Sequence, residues 1–156
     1  MRREPHRRAV VFVSLATASS LLGDQMLYAV LPSYYGELGL QPYQVGILLS
    51  ANRIVRLLSN HLAERACRTW APAVLLAISL GVGASLNLVY GLFAAFPILL
   101  GARVLWGICW SFIRQIGMMT VVDHALESHL GRYMGYYSGI SRMGSISGNL
   151  LGAVGH

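Results

Sequence analysis

The sequence predicts an all-α protein, a polytopic bundle of transmembrane helices, and three observations carry that expectation. Apolar residues make up 55% of the 156 residues and charged residues only 12%, whereas soluble domains devote roughly 25% of theirs to charge. The apolar residues fall into long runs with short polar connectors between them. The arginines alternate from connector to connector. The same composition excludes a disordered chain, and two cysteines do not make a disulfide scaffold. A net charge of +6, built from arginine alone with no lysine, can mark a nucleic-acid binder. Here the arginines form no hydrophilic patch: four sit in the first eight residues and several lie inside apolar runs. No nucleic-acid partner is expected.

A transmembrane helix needs about 20 mostly apolar residues. The first run, Ala9 to Pro32, follows the basic tail of residues 1–8. The second, Tyr43 to Leu62, follows Pro42, which suits a first helical turn because its missing N–H costs nothing there. The third runs from Ala71 to about Leu92. The fourth, Pro97 to about Val122, again opens on proline, and the fifth runs from Tyr133 to Gly155. At about 1.5 Å per residue each spans roughly 30–39 Å, enough to cross a bilayer with tilt. The tail carries Arg2, Arg3, Arg7 and Arg8, the second connector Arg65 and Arg68, and the fourth Arg132. The first and third connectors, Gly36–Pro42 and Phe93–Phe96, carry none. Seven arginines against zero on alternating sides is a positive-inside pattern and puts the N-terminus in the cytoplasm. The compact loops suggest a prokaryotic inner membrane. A secretory signal over residues 1–20 is the rival reading, but the apolar run continues past its cleavage site to Pro32.

Three segments then carry a family likeness. The connector after the second run reads Asn60-His61-Leu62-Ala63-Glu64-Arg65-Ala66-Cys67-Arg68-Thr69. It resembles the loop motif G-x-L-A-D-R-x-G-R-K of the major facilitator superfamily, with Asn60 and Cys67 standing for glycines and Glu64 for aspartate. Arg103-Val104-Leu105-Trp106-Gly107-Ile108-Cys109 in the fourth run resembles that family's R-x-x-Q-G-x-G. Trp106 and Cys109 replace Gln and Gly. Gly135, Gly144, Gly148, Asn149, Gly152 and Ala153 keep the spacing of the fifth-helix motif G-x8-G-x3-G-P-x2-G-G of antiporter branches, with Asn149 for Pro and Ala153 for Gly. The resemblance covers essentially the whole chain. It implies helices one to five of a fold built from two six-helix halves, and secondary transport by alternating access around a midplane site. It implies an incomplete N-terminal half, completed by a C-terminal half or a second copy. It also implies that the loop residues Asn60, Leu62, Ala63, Glu64, Arg65 and Arg68 latch the halves; simple positive-inside anchoring is the other reading.

Ionisable groups inside membrane spans are costly and read first as functional. They are Asp24, Arg53, Arg56, Arg103, Arg114 and Arg142, candidates for substrate or coupling roles. Arginine does not deprotonate to escape the cost, so each needs a partner, water or a ligand. By helix rise Asp24 lies about 22 Å from the cytoplasmic start of its span and Arg103 about 9 Å from the outer start of its own. Both fall in the outer third of the core, which predicts an Asp24–Arg103 ion pair or shared water network. Arg53, Arg56 and Asn60 share one stripe of the second helix. Five membrane arginines against one acid suggest an anionic solute; pairing with helix carbonyls or with a second half is the alternative.

Small residues four apart in the fifth run predict close backbone packing, without a cofactor. Asp123, His124, Glu127 and His129 sit in one connector and read as solvated rather than metal-binding. No catalytic triad, zinc spacing or phosphate-binding loop is present, so neither enzymatic activity nor a metal or cofactor is expected. The lipid bilayer and a small solute are the expected partners. A five-span interaction protein, or a transporter remnant that moves nothing, is the competing class.

Overall fold

The computed structural model describes residues 4–125 and 129–155, and five helices follow one another along them: α1 (Glu4–Tyr34), α2 (Pro42–Thr69), α3 (Pro72–Leu92), α4 (Phe96–His124) and α5 (Leu130–Val154). No strand occurs among the described residues. Arg2 and Arg3 of the basic tail and Glu127 of the fourth connector lie outside them.

Proline sets three of the helix starts. Pro42, Pro72 and Pro97 each occupy the first turn of α2, α3 and α4, where φ is already helical and no N–H is lost. Gln44 adds an N-cap contact to α2, its Oε1 accepting the Gln41 N–H at 2.8 Å. The preceding turn passes through Gly39 at φ +68°, a left-handed conformation that glycine adopts without a Cβ penalty.

The helices outrun the apolar runs that announce them. α2 continues through Ala63-Glu64-Arg65 to Thr69, so the motif taken as a loop is helical. Glu, Arg and Ala are good helix formers, and polarity alone does not end a helix. What ends it is Trp70-Ala71, both extended ahead of Pro72. α1 carries Pro32 inside its last turn and ends at Tyr34. α5 begins at Leu130, which moves Arg132 from the connector into the first helical turn.

By length and composition, three stretches suffice to cross a membrane: Arg8–Tyr34, Pro72–Leu92 and Phe96–His124. α2 falls short because it carries Asn52, Arg53, Arg56, Asn60 and His61 along its middle. α5 falls short because Arg142 sits among glycines and serines that contribute little hydropathy.

α4 is the hub. It packs on all four other helices, while α1 lies chiefly along α5. Val10, Val13, Cys67, Ile113, Val121 and Tyr137 close the end near the N-terminus. Leu31, Leu40, Val45, Leu48 and Leu99 close the opposite end. Large apolar side chains such as Phe12, Leu57, Leu58, Leu88 and Met143 cover the outside, each at least two-thirds exposed. Interior polar residues bind one another: the hydroxyls of Ser59 on α2 and Ser111 on α4 meet at 2.7 Å, and Ser111 also donates to the Gly107 carbonyl.

The α1–α5 contact runs backbone to backbone. A Cβ at Gly144 would strike the Ala18 carbonyl, one at Gly148 the Leu22 carbonyl, and one at Gly152 would sit 3.0 Å from the Met26 carbonyl. The contact therefore repeats every fourth residue on both helices. Asn149, which replaces the motif proline, faces Gln25 across this seam at 3.5 Å. Gly135 has nothing within 4 Å of a built Cβ; it keeps the motif spacing but packs on none of the described residues. Gly148→Leu should therefore push α1 and α5 apart and destabilise the bundle by about 1–3 kcal/mol. Gly135→Leu should leave the detergent-solubilised melting temperature nearly unchanged. Thermal unfolding of the two variants checks the contrast, and equal effects would contradict this packing.

Candidate functional site

Helical periodicity places the site residues on two facing stripes. On α1, Thr17, Leu21, Asp24 and Tyr28 recur at the spacing of one helix face. On α4, Arg103, Gly107, Trp110 and Arg114 do the same. Where the stripes meet, Arg103 Nη1 donates to Asp24 Oδ1 at 2.5 Å, with the two side chains 0% and 6% exposed. This is the pair that depth along the helices predicts. Arg103 Nε also donates to the Leu48 carbonyl of α2 at 3.3 Å. The guanidinium carbon lies 4.8 Å from the ring centre of Tyr28 and 6.0 Å from that of Tyr90 on α3. One side chain thus touches α1, α2 and α3 from α4.

Unpartnered buried polar atoms lie at the pair and on the helix turns beside it. Arg103 Nη2, Tyr90 Oη, Asn52 Oδ1 and Asn87 Oδ1 are buried with no hydrogen-bond partner among the described residues. Asn87 lies against Gly23, the residue before Asp24, and Asn52 against Gly107, one turn beyond Arg103. Buried polar atoms seek partners, and in a polar niche ordered water or a polar solute supplies them. Sequence reading missed Tyr28, Asn52, Asn87 and Tyr90. Its search was for charge; the signal that would have found Asn52 and Asn87 is a neutral amide in an apolar run, which also costs several kcal/mol to bury unpaired.

The remaining arginines do not join the pair. Arg56 is half-buried, while Arg53 and Asn60, one turn to either side of it, are exposed. Arg114 and Arg142 are exposed at the bundle surface and line one pocket of about 230 Å³ between α1, α4 and α5. Among the described residues neither enters an ion pair.

On the α2 motif, Ala63 and Cys67 face inward, while Leu62, Glu64, Arg65 and Arg68 are exposed. Glu64 and Arg68 pair at 2.7 Å across one turn; such an exposed pair contributes at most about 1 kcal/mol. Burial pushes the Cys67 thiol pKa up, away from thiolate reactivity. In the α4 motif, Trp106 fills the Gln position. It fits because Gly83 of α3 lies under its ring, where an added Cβ would come within 2.5 Å. No cluster of His, Cys, Asp or Glu among the described residues has metal-binding proximity.

A family model for the Major Facilitator Superfamily matches residues 13–155. No curated protein matches the chain. The family match takes in most of α1, the whole of α2, α3 and α4, and α5 together with the Asp24–Arg103 pair, and it shows a multi-pass membrane protein belonging to the major facilitator superfamily of transporters.

Proposed function

We propose that the chain carries out secondary-active transport of a small solute by alternating access. The observation that carries this reading is the buried Asp24–Arg103 pair with its surround of unsatisfied polar atoms. A purely structural bundle gains little from such a group. Desolvating each ion costs several kcal/mol, and a well-packed apolar pair does as well or better. The arrangement suits a switch. A proton or solute that takes Asp24 away from Arg103 removes the charge contact between α1 and α4 and leaves Arg103 to its α2 carbonyl and the ring of Tyr90 on α3. Rocking of rigid helices around a site enclosed within the membrane is how the fold alternates its openings.

In this reading all five helices cross the membrane, α2 and α5 included, because their polar residues lie on faces covered by other protein rather than by lipid. A second six-helix half or a second copy supplies that cover, and the exposed Arg53, Arg114 and Arg142 support this. The N-terminus is cytoplasmic in a prokaryotic inner membrane, and the α2 motif with Glu64, Arg65 and Arg68 latches the two halves on that side.

Two experiments test the reading. In a Cys67→Ser, Cys109→Ser background, Glu37→Cys should react with an impermeant maleimide from outside. Glu64→Cys should react only after the membrane is opened. Labelling of both from one side overturns the topology. For the pair, Asp24→Asn alone should cost about 3–5 kcal/mol by leaving Arg103 uncompensated. Exchanging the charges, Asp24→Arg with Arg103→Asp, should restore folding, read as detergent melting temperature. Solute uptake into proteoliposomes should stay abolished. Full recovery of uptake would reduce the pair to a strut.

A further inference from the structure

The pocket of about 230 Å³ at Arg114 and Arg142 stands apart from the Asp24–Arg103 pair. Arg114 lies eleven residues beyond Arg103 on α4, about 16 Å away by helix rise. On α1 the pocket is reached through Thr17 and Leu21, before Asp24 in the chain. Two arginines line it and no acid does. Neither arginine has an ion pair among the described residues, and neither can shed its charge.

A second observation is independent of the charges. Ser141 is 8% exposed, lines the same pocket, and its hydroxyl has no hydrogen-bond partner among the described residues. Ser138, Ser141, Arg142 and Ser145 all fall on the pocket side of α5. The donors therefore comprise two guanidinium forks and a set of hydroxyls, the chemistry that recognises an oxyanion. Two aromatic side chains share the lining: Trp110, half-buried, one turn before Arg114 on α4, and Tyr137, buried, one turn before Ser141 on α5. The volume is below the roughly 300–1,000 Å³ of common ligand pockets, room for a small ligand's head and ring.

We infer that this pocket binds a small organic anion, with its carboxylate or phosphate head held by Arg114, Arg142 and Ser141 and its planar apolar body against Trp110 and Tyr137. The inference rests on the transport reading and names its substrate class. The pocket selects the solute by charge, and the Asp24–Arg103 pair responds to it about 16 Å along the same stripes of α1 and α4.

The test uses the full chain in nanodiscs, titrated calorimetrically with benzoate, phenyl phosphate, the neutral isostere benzamide and the cation benzylamine. Benzoate or phenyl phosphate should bind at least about 10-fold more tightly than benzamide, and benzylamine should not bind. The tighter of the two anions identifies the head group. Arg114→Gln and Arg142→Gln should each weaken anion binding by about 10- to 100-fold, the usual loss for a charge-assisted hydrogen bond. Arg142→Lys, which keeps the charge but not the fork, should fall between. Both arginines are exposed, so these variants should keep the wild-type melting temperature, and the comparison is made on variants that do. Equal affinity for benzamide, or anion affinity unchanged in both Gln variants, overturns the inference. The transport reading fails separately. If anions bind with this arginine dependence and no solute of any charge enters proteoliposomes, the site stands and transport falls. If neutral or cationic solutes are taken up and no anion binds, the site falls and transport stands.

Discussion

The packing of α1, α2 and α3 on α4 answers to one constraint: Arg103 is wholly buried and stays charged. Its guanidinium is 0% exposed, and no environment in a protein deprotonates it. The other helices therefore come to it. α1 brings Asp24 and the face of Tyr28, α2 the Leu48 carbonyl, and α3 the ring of Tyr90. This is why α4 is the hub. The approach also needs room for backbone, which explains where side chains are missing. Gly23 admits Asn87, Gly107 admits Asn52, and Gly83 admits Trp106. A methyl group would press on the Asn52 backbone at Gly107, on the Trp106 ring at Gly83 and on the Asn87 amide at Gly23.

The α1–α5 seam solves the opposite problem. It has no ion pair among the described residues and little apolar bulk. Lipid tails offer no hydrophobic drive between helices, so close packing must supply the attraction. Gly144, Gly148 and Gly152 let α5 lie directly on the carbonyls of Ala18, Leu22 and Met26. α1 is thus held on one side by charge and on the other by backbone contact. The first holds only while Asp24 is ionised and paired. The second does not depend on protonation at all. A change at Asp24 can then loosen α1 from α4 while α1 and α5 stay together as one body.

How much of this the sequence discloses depends on which property of a helix is being read. Rise per residue is uniform, so depth arithmetic pairs Asp24 with Arg103 across 79 positions of chain. Angular spacing is uniform too, so Gly144, Gly148 and Gly152 announce a close-packed face. Neither property says whether a neighbour is present. Gly135 keeps the same motif spacing and meets nothing, while Arg53, on the stripe of Arg56, turns out exposed. Neutral amides escape notice for a different reason. Asn52 and Asn87 look unremarkable beside arginines until contacts place them against Gly107 and Gly23, next to the helix turns that carry the pair. Helix ends are misplaced because apolar runs mark the lipid-compatible part of a helix, whereas Trp70-Ala71 before Pro72 marks where the backbone stops.

The arginines divide into two kinds, and the division follows from what each one touches. Arg103 has its charge met by Asp24 and one donor met by a carbonyl, with Nη2 alone left unpartnered among the described residues. Arg114 and Arg142 meet no carboxylate among the described residues, and they face an open pocket with an unpaired hydroxyl beside them. In the inferred mechanism the second kind recruits the anion and the first holds the bundle closed. Only α1 and α4 carry residues of both sites: Thr17 and Leu21 lead to Asp24, and Arg114 leads back to Arg103. These two helices are therefore the elements that the two sites share among the described residues. An anion held between Arg114 of α4 and Arg142 of α5 ties α4 to the α1–α5 body at one end, just where the ion pair ties it at the other.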